Sequence, residues 1–276
     1  MTHHKAAMMS GASQLIIMAN DKGGQGKTLA SLLVADHAHL HNAPLAIAQV
    51  DAQHRLARAV GRNVLTIPTV SREARRDPTA DARSFTPFYH MLERVGARGA
   101  NCLLDIGANQ VGRFANWAGI VELDEDLEAW GFETTVMIPF VAEGEGIRQA
   151  AATADALLQR FSCAKLVLIQ NARDGEFAHM HEASDAAAVY RTSIEPLMDG
   201  ATLLRMPAIA AGSWRPFEAA HCRLMDLPMM PLRKVMALTG LPRPESKISR
   251  GEVAAWTIEV FHELDRVLNW ATRETT

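Results

Sequence analysis

One run of nine residues constrains this chain more than any other: Asn20-Asp21-Lys22-Gly23-Gly24-Gln25-Gly26-Lys27-Thr28. It follows the apolar stretch Gln14–Ala19 and opens a helical pattern at Lys27. A strand, a glycine-rich turn and a helix in that order form a phosphate cradle. Gly23, Gly24 and Gly26 let the backbone curl so that its N–H groups converge on an anion. Lys27 can reach the β- and γ-phosphates of a nucleotide, and the Thr28 hydroxyl suits Mg²⁺.

The rest of the chain repeats the strand–helix alternation. Candidate strands are Gln14–Ala19, Leu45–Val50, Asn101–Leu104, Thr134–Ile138, Lys165–Gln170 and Thr202–Met206. Most are continuous apolar runs, as strands covered on both faces require. Helical patterns fall at Lys27–His41, Phe85–Val95, Gly146–Phe161, Phe177–Tyr190 and Gly251–Trp270. This order predicts an α/β fold: a doubly wound, mostly parallel sheet with helices on both faces. Thr66–Pro87 reads as a long, partly mobile connection. Met206–Pro244, with six prolines, reads as irregular with short helices. Residues 1–13 are expected to form a tail and residues 14–272 a single domain.

Composition narrows the class. Of 276 residues, 48% are apolar and 21% charged, which suits a globular chain and not a disordered one. No apolar run approaches the ~20 residues that span a bilayer. Cys102, Cys163 and Cys222 stand apart, which argues against a metal knuckle or a disulfide framework. The expectation is a soluble cytoplasmic protein with no membrane partner.

Lys22 refines the reading. The common pattern is Gly-x-x-x-x-Gly-Lys-Ser/Thr, and Asp21 here fills the first glycine position. The run Lys22–Thr28, with its second lysine, resembles the deviant phosphate loop of the ParA/MinD family of P-loop ATPases. The resemblance implies ATP and Mg²⁺ as ligands. It also implies a homodimer formed on ATP binding, in which Lys22 crosses to the partner's nucleotide. Leu29 stands where the family usually has Thr or Ser; its backbone N–H can still serve the α-phosphate.

Further segments extend the resemblance. Asp51-Ala52-Gln53 follows a predicted strand, where the family has Asp-x-Asp-Pro-Gln. Asp51 matches the second aspartate, Gln53 the glutamine, and Gln49 replaces the first aspartate. Asp51 would orient the attacking water and hold a magnesium-bound water; the alternative is a cap on the next helix. Asp105, ending an apolar strand, resembles the Walker B aspartate of the magnesium shell. Gly107 would offer a backbone N–H near the γ-phosphate. Asn171 matches an asparagine that reads the adenine edge, and Pro207 a proline along the base. Strand order carries the likeness over residues 14–210; Arg62–Arg98 and Gly212–Thr276 lie outside it.

The family implies a slow, partner-stimulated ATPase. Its expected job is plasmid or DNA partition, maintenance or conjugative transfer, with a small activator or adaptor protein. A bacterial, nucleoid-associated location would follow. The alternatives are a positioning ATPase that binds no DNA and a nucleotide-binding module with little turnover. The chain carries a net charge of −3, yet Arg205–Arg250 holds eight Lys and Arg against three acids, a local net of +5. Arg233, Lys234, Arg243, Lys247 and Arg250 are therefore candidates for nonspecific DNA contact. The last helix and tail are acidic, which disfavours a membrane-targeting end. His37 and His41, four apart on one helix face, read as a packed pair and not as metal ligands.

Overall fold

The structure, a computed structural model, describes residues 12–51, 54–61, 64–69 and 78–270. The chain begins with β1 (Ser13–Met18), α1 (Lys27–Leu40), β2 (Leu45–Val50), α2 (Arg55–Val60) and β3 (Leu65–Thr66). Next come α3 (Pro78–Arg83), α4 (Thr86–Gly96), β4 (Asn101–Ile106), α5 (Val111–Ile120) and α6 (Leu123–Ala129). β5 (Phe132–Val141), α7 (Gly144–Leu158), β6 (Lys165–Asn171), α8 (Asp185–Val189) and β7 (Ala201–Met206) follow. The last described helices are α9 (Ala211–Ala219), α10 (Leu232–Thr239) and α11 (Arg243–Asp265).

The strands form one sheet in the order β3-β2-β4-β1-β5-β6-β7, and every pairing is parallel. β1 lies between β4 and β5, where the chain's winding reverses direction. Ligands of open α/β sheets bind beyond the carboxyl ends of strands at such a point. The alternation of β1 explains the two layers. Leu15, Ile17 and Ala19 pack with Phe88 of α4, Phe114 of α5, Leu123 of α6 and Ile147 of α7. Ile16 and Met18 pack with Leu33 of α1, Leu56 of α2, Phe217 of α9 and Val260 of α11.

The expected strands are all present, with ends shifted by a few residues. β3 is an addition, two residues long and held by Ile67 N–H on Gln49 O (2.9 Å). Helices α2, α3, α5 and α6 are also additions, α3 falling inside the stretch Thr66–Pro87 that reads as a connection. The predicted helix Phe177–Tyr190 is corrected. A 3-10 turn at Phe177–His179 gives way to extended backbone at Met180, and α8 starts afresh from a Ser184 cap. The Ser184 side chain accepts the Ala187 N–H at 3.1 Å, a local stop-and-start signal. The last helix begins at Arg243, eight residues before the expected start. α6 carries Asp124, Glu125 and Asp126 in its first turn, and part of this acidic face is structural. Asp126 accepts from the Tyr89 hydroxyl (2.6 Å), and Asp124 accepts from the Ser162 N–H and hydroxyl.

Two long-range polar contacts tie later segments to α1. Buried Asp36 accepts from Arg223 Nε (2.6 Å) and from the Met225 N–H (3.1 Å). Burial pushes its carboxyl up, against the pull of Arg223 and the Met225 N–H. His37 and His41 stack at 4.4 Å, and Asp265 lies 2.9 Å from His37 Nε2. The packed-pair reading still stands. Trp270 Nε1 donates to His37 Nδ1 (3.0 Å), and an indole N–H can only donate. Neutral His37 therefore carries its proton on Nε2, facing Asp265. That leaves Nε2 without the lone pair a metal needs.

Candidate functional site at the end of β1

The loop after β1 is bolted to the sheet by its own first residues. Asn20, fully buried, donates to Pro139 O (3.0 Å) and accepts the Lys22 N–H (2.9 Å). Asp21 Oδ1 accepts the Val111 N–H (3.0 Å) at the start of α5. The Asp21 N–H donates to Thr153 Oγ1 (3.2 Å). Gln25 faces the scaffold: its Oε1 accepts the Val141 N–H at 3.0 Å. Gly26 sits at φ 95°, a left-handed conformation that costs other residues. A Cβ there would also come 2.5 Å from Asn171 Nδ2. The next residue opens α1, whose first turn has no side-chain cap and no acid. Its free N–H groups and dipole therefore favour an anion.

Lys27 is buried, and its Nζ donates to Lys22 O at 2.7 Å. Burial lowers its pKa, while Asp105, Asp21 and Asp51 pull it back up. The lysine is thus a buried cation steadied by carboxylates. Lys22 points elsewhere: its Nζ lies 2.5 Å from both carboxylate oxygens of Glu143.

Asp105 ends β4 beside Lys27 and is almost fully buried. Burial drives its carboxyl up to about 6, with Lys27 and the Ser31 and Thr28 hydroxyls opposing that shift. Among the described residues, neither Asp105 Oδ1 nor Ser31 Oγ makes a hydrogen bond of good geometry, although the Ser31 and Thr28 hydroxyls lie near the carboxyl. A buried carboxylate oxygen without a partner, close to a threonine hydroxyl, is what a hard divalent cation would satisfy. The donor set therefore fits Mg²⁺. Its affinity should fall as pH drops through about 6, because the protonated acid cannot ligate. A bound cation lowers that pKa, so the inflection lies at or below this value. Titrating Mg–ATP affinity between about pH 5 and about pH 8 would show it. Asp105→Asn should flatten that step, and an unchanged profile would remove Asp105 from the metal shell.

Asp51, at the end of β2, lines the same cleft and accepts the Arg55 N–H at 3.4 Å, which caps α2 loosely. Gln49 serves as structure: it donates to Thr66 Oγ1 (2.9 Å) and accepts the Ala57 N–H (3.2 Å). Gln53 lies outside the described residues. The expectation for Gly107 is corrected. Its N–H donates to Val50 O (2.9 Å), and a Cβ there would sit 2.6 Å from that oxygen. Gly107 thus allows β2 and the turn after β4 to touch, and its N–H is not offered to a phosphate.

Asn171, at the end of β6, is buried with its amide engaged. Nδ2 donates to Gln25 O (3.1 Å), and Oδ1 accepts the Arg173 N–H (3.1 Å). It braces the loop and caps the following turn. Pro207 lines the far end of the cleft, and its carbonyl accepts from Trp256 Nε1 (2.8 Å). The cleft holds about 440 Å³. It runs from residues 23–29, past Asp51 and Asp105, to a mostly apolar wall of Pro207, Ile209, Trp214 and Trp256, with Glu218 also in the lining. A polar, cation-bearing end and an apolar end suit a nucleotide's phosphates and base.

Sequence reasoning missed Asn20, Arg55, Arg173, Trp214 and Trp256. Arg173 Nη1 reaches Gly24 O at 2.5 Å, while its other nitrogens pair with Asp174. Arg55, the first residue of α2, also lines the cleft. The two tryptophans lie in a segment without any motif, and only packing brings them to the cleft.

No protein-family model and no curated protein matches the sequence. Solved structures do. The chain is similar to McdA of Cyanothece, solved as an ATP complex, at 16% identity and a TM-score of 0.50. That likeness covers 88% of this chain and 98% of McdA. The cell division ATPase MinD of Pyrococcus furiosus is 13% identical over 93% of this chain and 100% of its own, with a TM-score of 0.49. The MinD cell division protein of Aquifex aeolicus is 14% identical over 91% and 98%, with a TM-score of 0.47. With its seven-stranded parallel sheet, the chain has the fold of the ParA/MinD-type P-loop ATPases.

Proposed function

We propose that this chain is an ATP-binding and ATP-hydrolysing switch that pairs with a second copy when ATP is bound. One observation carries the reading. The uncapped start of α1, the buried Lys27 cation and the unpartnered Asp105 oxygen converge at one end of a nucleotide-sized cleft. Backbone N–H groups of residues 23–29 and Lys27 would hold the phosphates. Thr28, Asp105 and Asp51 would hold Mg²⁺, which when bound neutralises phosphate charge. Pro207 and Asn171 would border the base. Asp51 would orient the attacking water, because it is a partly exposed carboxylate of the cleft that lies close enough to Lys27 to act on its charge.

Lys22 would act across the dimer. The cargo reading is plasmid or DNA partition, supported by Arg233, Lys234, Arg243 and Lys247, which are all exposed. Arg250 contributes less, since its guanidinium donates to Met230 O at 2.7 Å. One set of light-scattering and gel-shift samples tests the whole proposal. Wild type should form dimers with ATP and not with ADP, and only those dimers should shift an unrelated DNA duplex. Lys22→Ala should bind ATP and stay monomeric. Asp51→Ala should dimerise and persist, because turnover is what resets the dimer. A wild type that stays monomeric with ATP removes the pairing. A dimer that leaves DNA unshifted at low salt removes the DNA partner. Dimers of Asp51→Ala that decay at the wild-type rate return Asp51 to capping.

A further inference from the structure

The glycines of the loop after β1 cannot set their own backbone. Gly24 and Gly26 lie at φ 77° and 95°, and neither has a side chain to pack. What fixes the turn is where its carbonyls go. Lys22 O accepts from Lys27 Nζ at 2.7 Å, and Gln25 O accepts from Asn171 Nδ2 at 3.1 Å. Between them, Gly24 O accepts from Arg173 Nη1 at 2.5 Å. Arg173 sits in the short turn Ala172–Asp174 after β6, 149 residues from Gly24 along the chain. Its guanidinium is itself aimed. Nε and Nη2 hold the two carboxylate oxygens of Asp174 at 2.8 and 2.5 Å, and that fork leaves Nη1 for the loop.

We propose that Arg173 is a positioning residue of the phosphate cradle, holding the Gly24 carbonyl so that the next N–H, that of Gln25, faces the phosphates. The proposal rests on the reading that a nucleotide's phosphates occupy this loop. A planar trans peptide points its C=O and its N–H in opposite directions, so a hold on Gly24 O sets the direction of the Gln25 N–H. Gln25 lines the cleft while its side chain turns to the scaffold, where Oε1 accepts the Val141 N–H at 3.0 Å. The backbone is therefore what Gln25 presents. Asn171 does the same for the following peptide, since its hold on Gln25 O directs the Gly26 N–H. Two residues of one turn thus aim two successive N–H groups, one through an amide and one through a charge. The charged hold is the stronger. A cradle ordered in advance loses less freedom on binding, which raises affinity.

Calorimetry with Mg–ADP, paired with NMR of protein labelled with ¹⁵N-glutamine, tests the assignment. Arg173→Met removes the hold and keeps much of the apolar stem. Its Mg–ADP affinity should fall roughly three- to tenfold, the effect of one charged hydrogen bond at an exposed site. The order parameter of the Gln25 amide should drop from about 0.85 towards about 0.6. That of Gln14, buried on β1, should stay unchanged and so reports an intact fold. The urea midpoint should not move, because the Arg173 and Asp174 side chains are 53% and 45% exposed. Asp174→Asn separates positioning from direct contact. It frees the guanidinium and removes a negative charge, so a guanidinium that bound phosphate itself would bind it more tightly, whereas one that aims the loop would aim it less well. Weaker binding is expected. Unchanged Mg–ADP affinity in Arg173→Met, or tighter binding in Asp174→Asn, would overturn the proposal. If wild type binds no Mg–ADP, the cleft reading falls and takes the cradle with it, while the Gln25 amide still decides whether Arg173 holds the loop.

Discussion

Lys27→Ala is expected to weaken Mg–ATP binding by about a hundredfold or more. Burial sets the size of the effect. Burial disfavours the charged ammonium, and Asp105, Asp21 and Asp51 oppose that shift. Alanine removes the cation and leaves those acids beside the incoming phosphates. Bonds to charged groups contribute about 1.5–3 kcal/mol each, and the ammonium can make two to a triphosphate. Their joint loss comes to several kcal/mol, where ~1.4 kcal/mol is a factor of ten. Titration calorimetry measures this directly. A variant that binds within a few fold of wild type would show that the phosphates do not meet Lys27.

The second large effect is on stability. Asp36→Ala is expected to destabilise the fold by about 3 kcal/mol. Asp36 is fully buried on α1, and it alone joins Arg223 Nε and the Met225 N–H to that helix. Its raised pKa says that desolvation outweighs the pairing. The intact pair is therefore no great source of stability, but breaking it strands a largely buried guanidinium and an amide. The Arg223 side chain keeps 18% exposure, which places the loss at the low end of the usual range. Urea denaturation should show a lower midpoint with an unchanged slope. Replacing Arg223 by Met in the same chain should restore much of the loss. A change under about 1 kcal/mol for Asp36→Ala alone would mean that the guanidinium finds water.

What was legible in the sequence was what is local. Continuous apolar runs marked six strands, because a parallel sheet buries both faces of each. The phosphate loop was legible because its residues are contiguous and each does its work beside its neighbours. β3 was not, since two residues carry no period and the strand exists only because Gln49 of β2 offers it a partner. The stretch Phe177–Tyr190 looks helical in composition, yet Ser184 and Asp185 restart the chain there. Gly107 was misassigned because its use depends on how closely Val50 approaches, which no pattern in β4 records. The apolar end of the cleft was illegible for the same reason. Trp214 and Trp256 come together only through the packing of α9 on α11. Asp265 likewise meets His37 across a separation of 228 residues.

A nucleotide is expected to lie along this cleft, phosphates at α1 and base at the tryptophan wall. Photo-crosslinking with an 8-azido analogue of ATP, followed by peptide mapping, tests it most directly. The label is expected on the peptide holding residues 207–214 or on that holding Trp256. It should require Mg²⁺, disappear with excess ATP and be lost in Lys27→Ala. Label on peptides remote from the cleft, or label that excess ATP does not displace, would contradict the account.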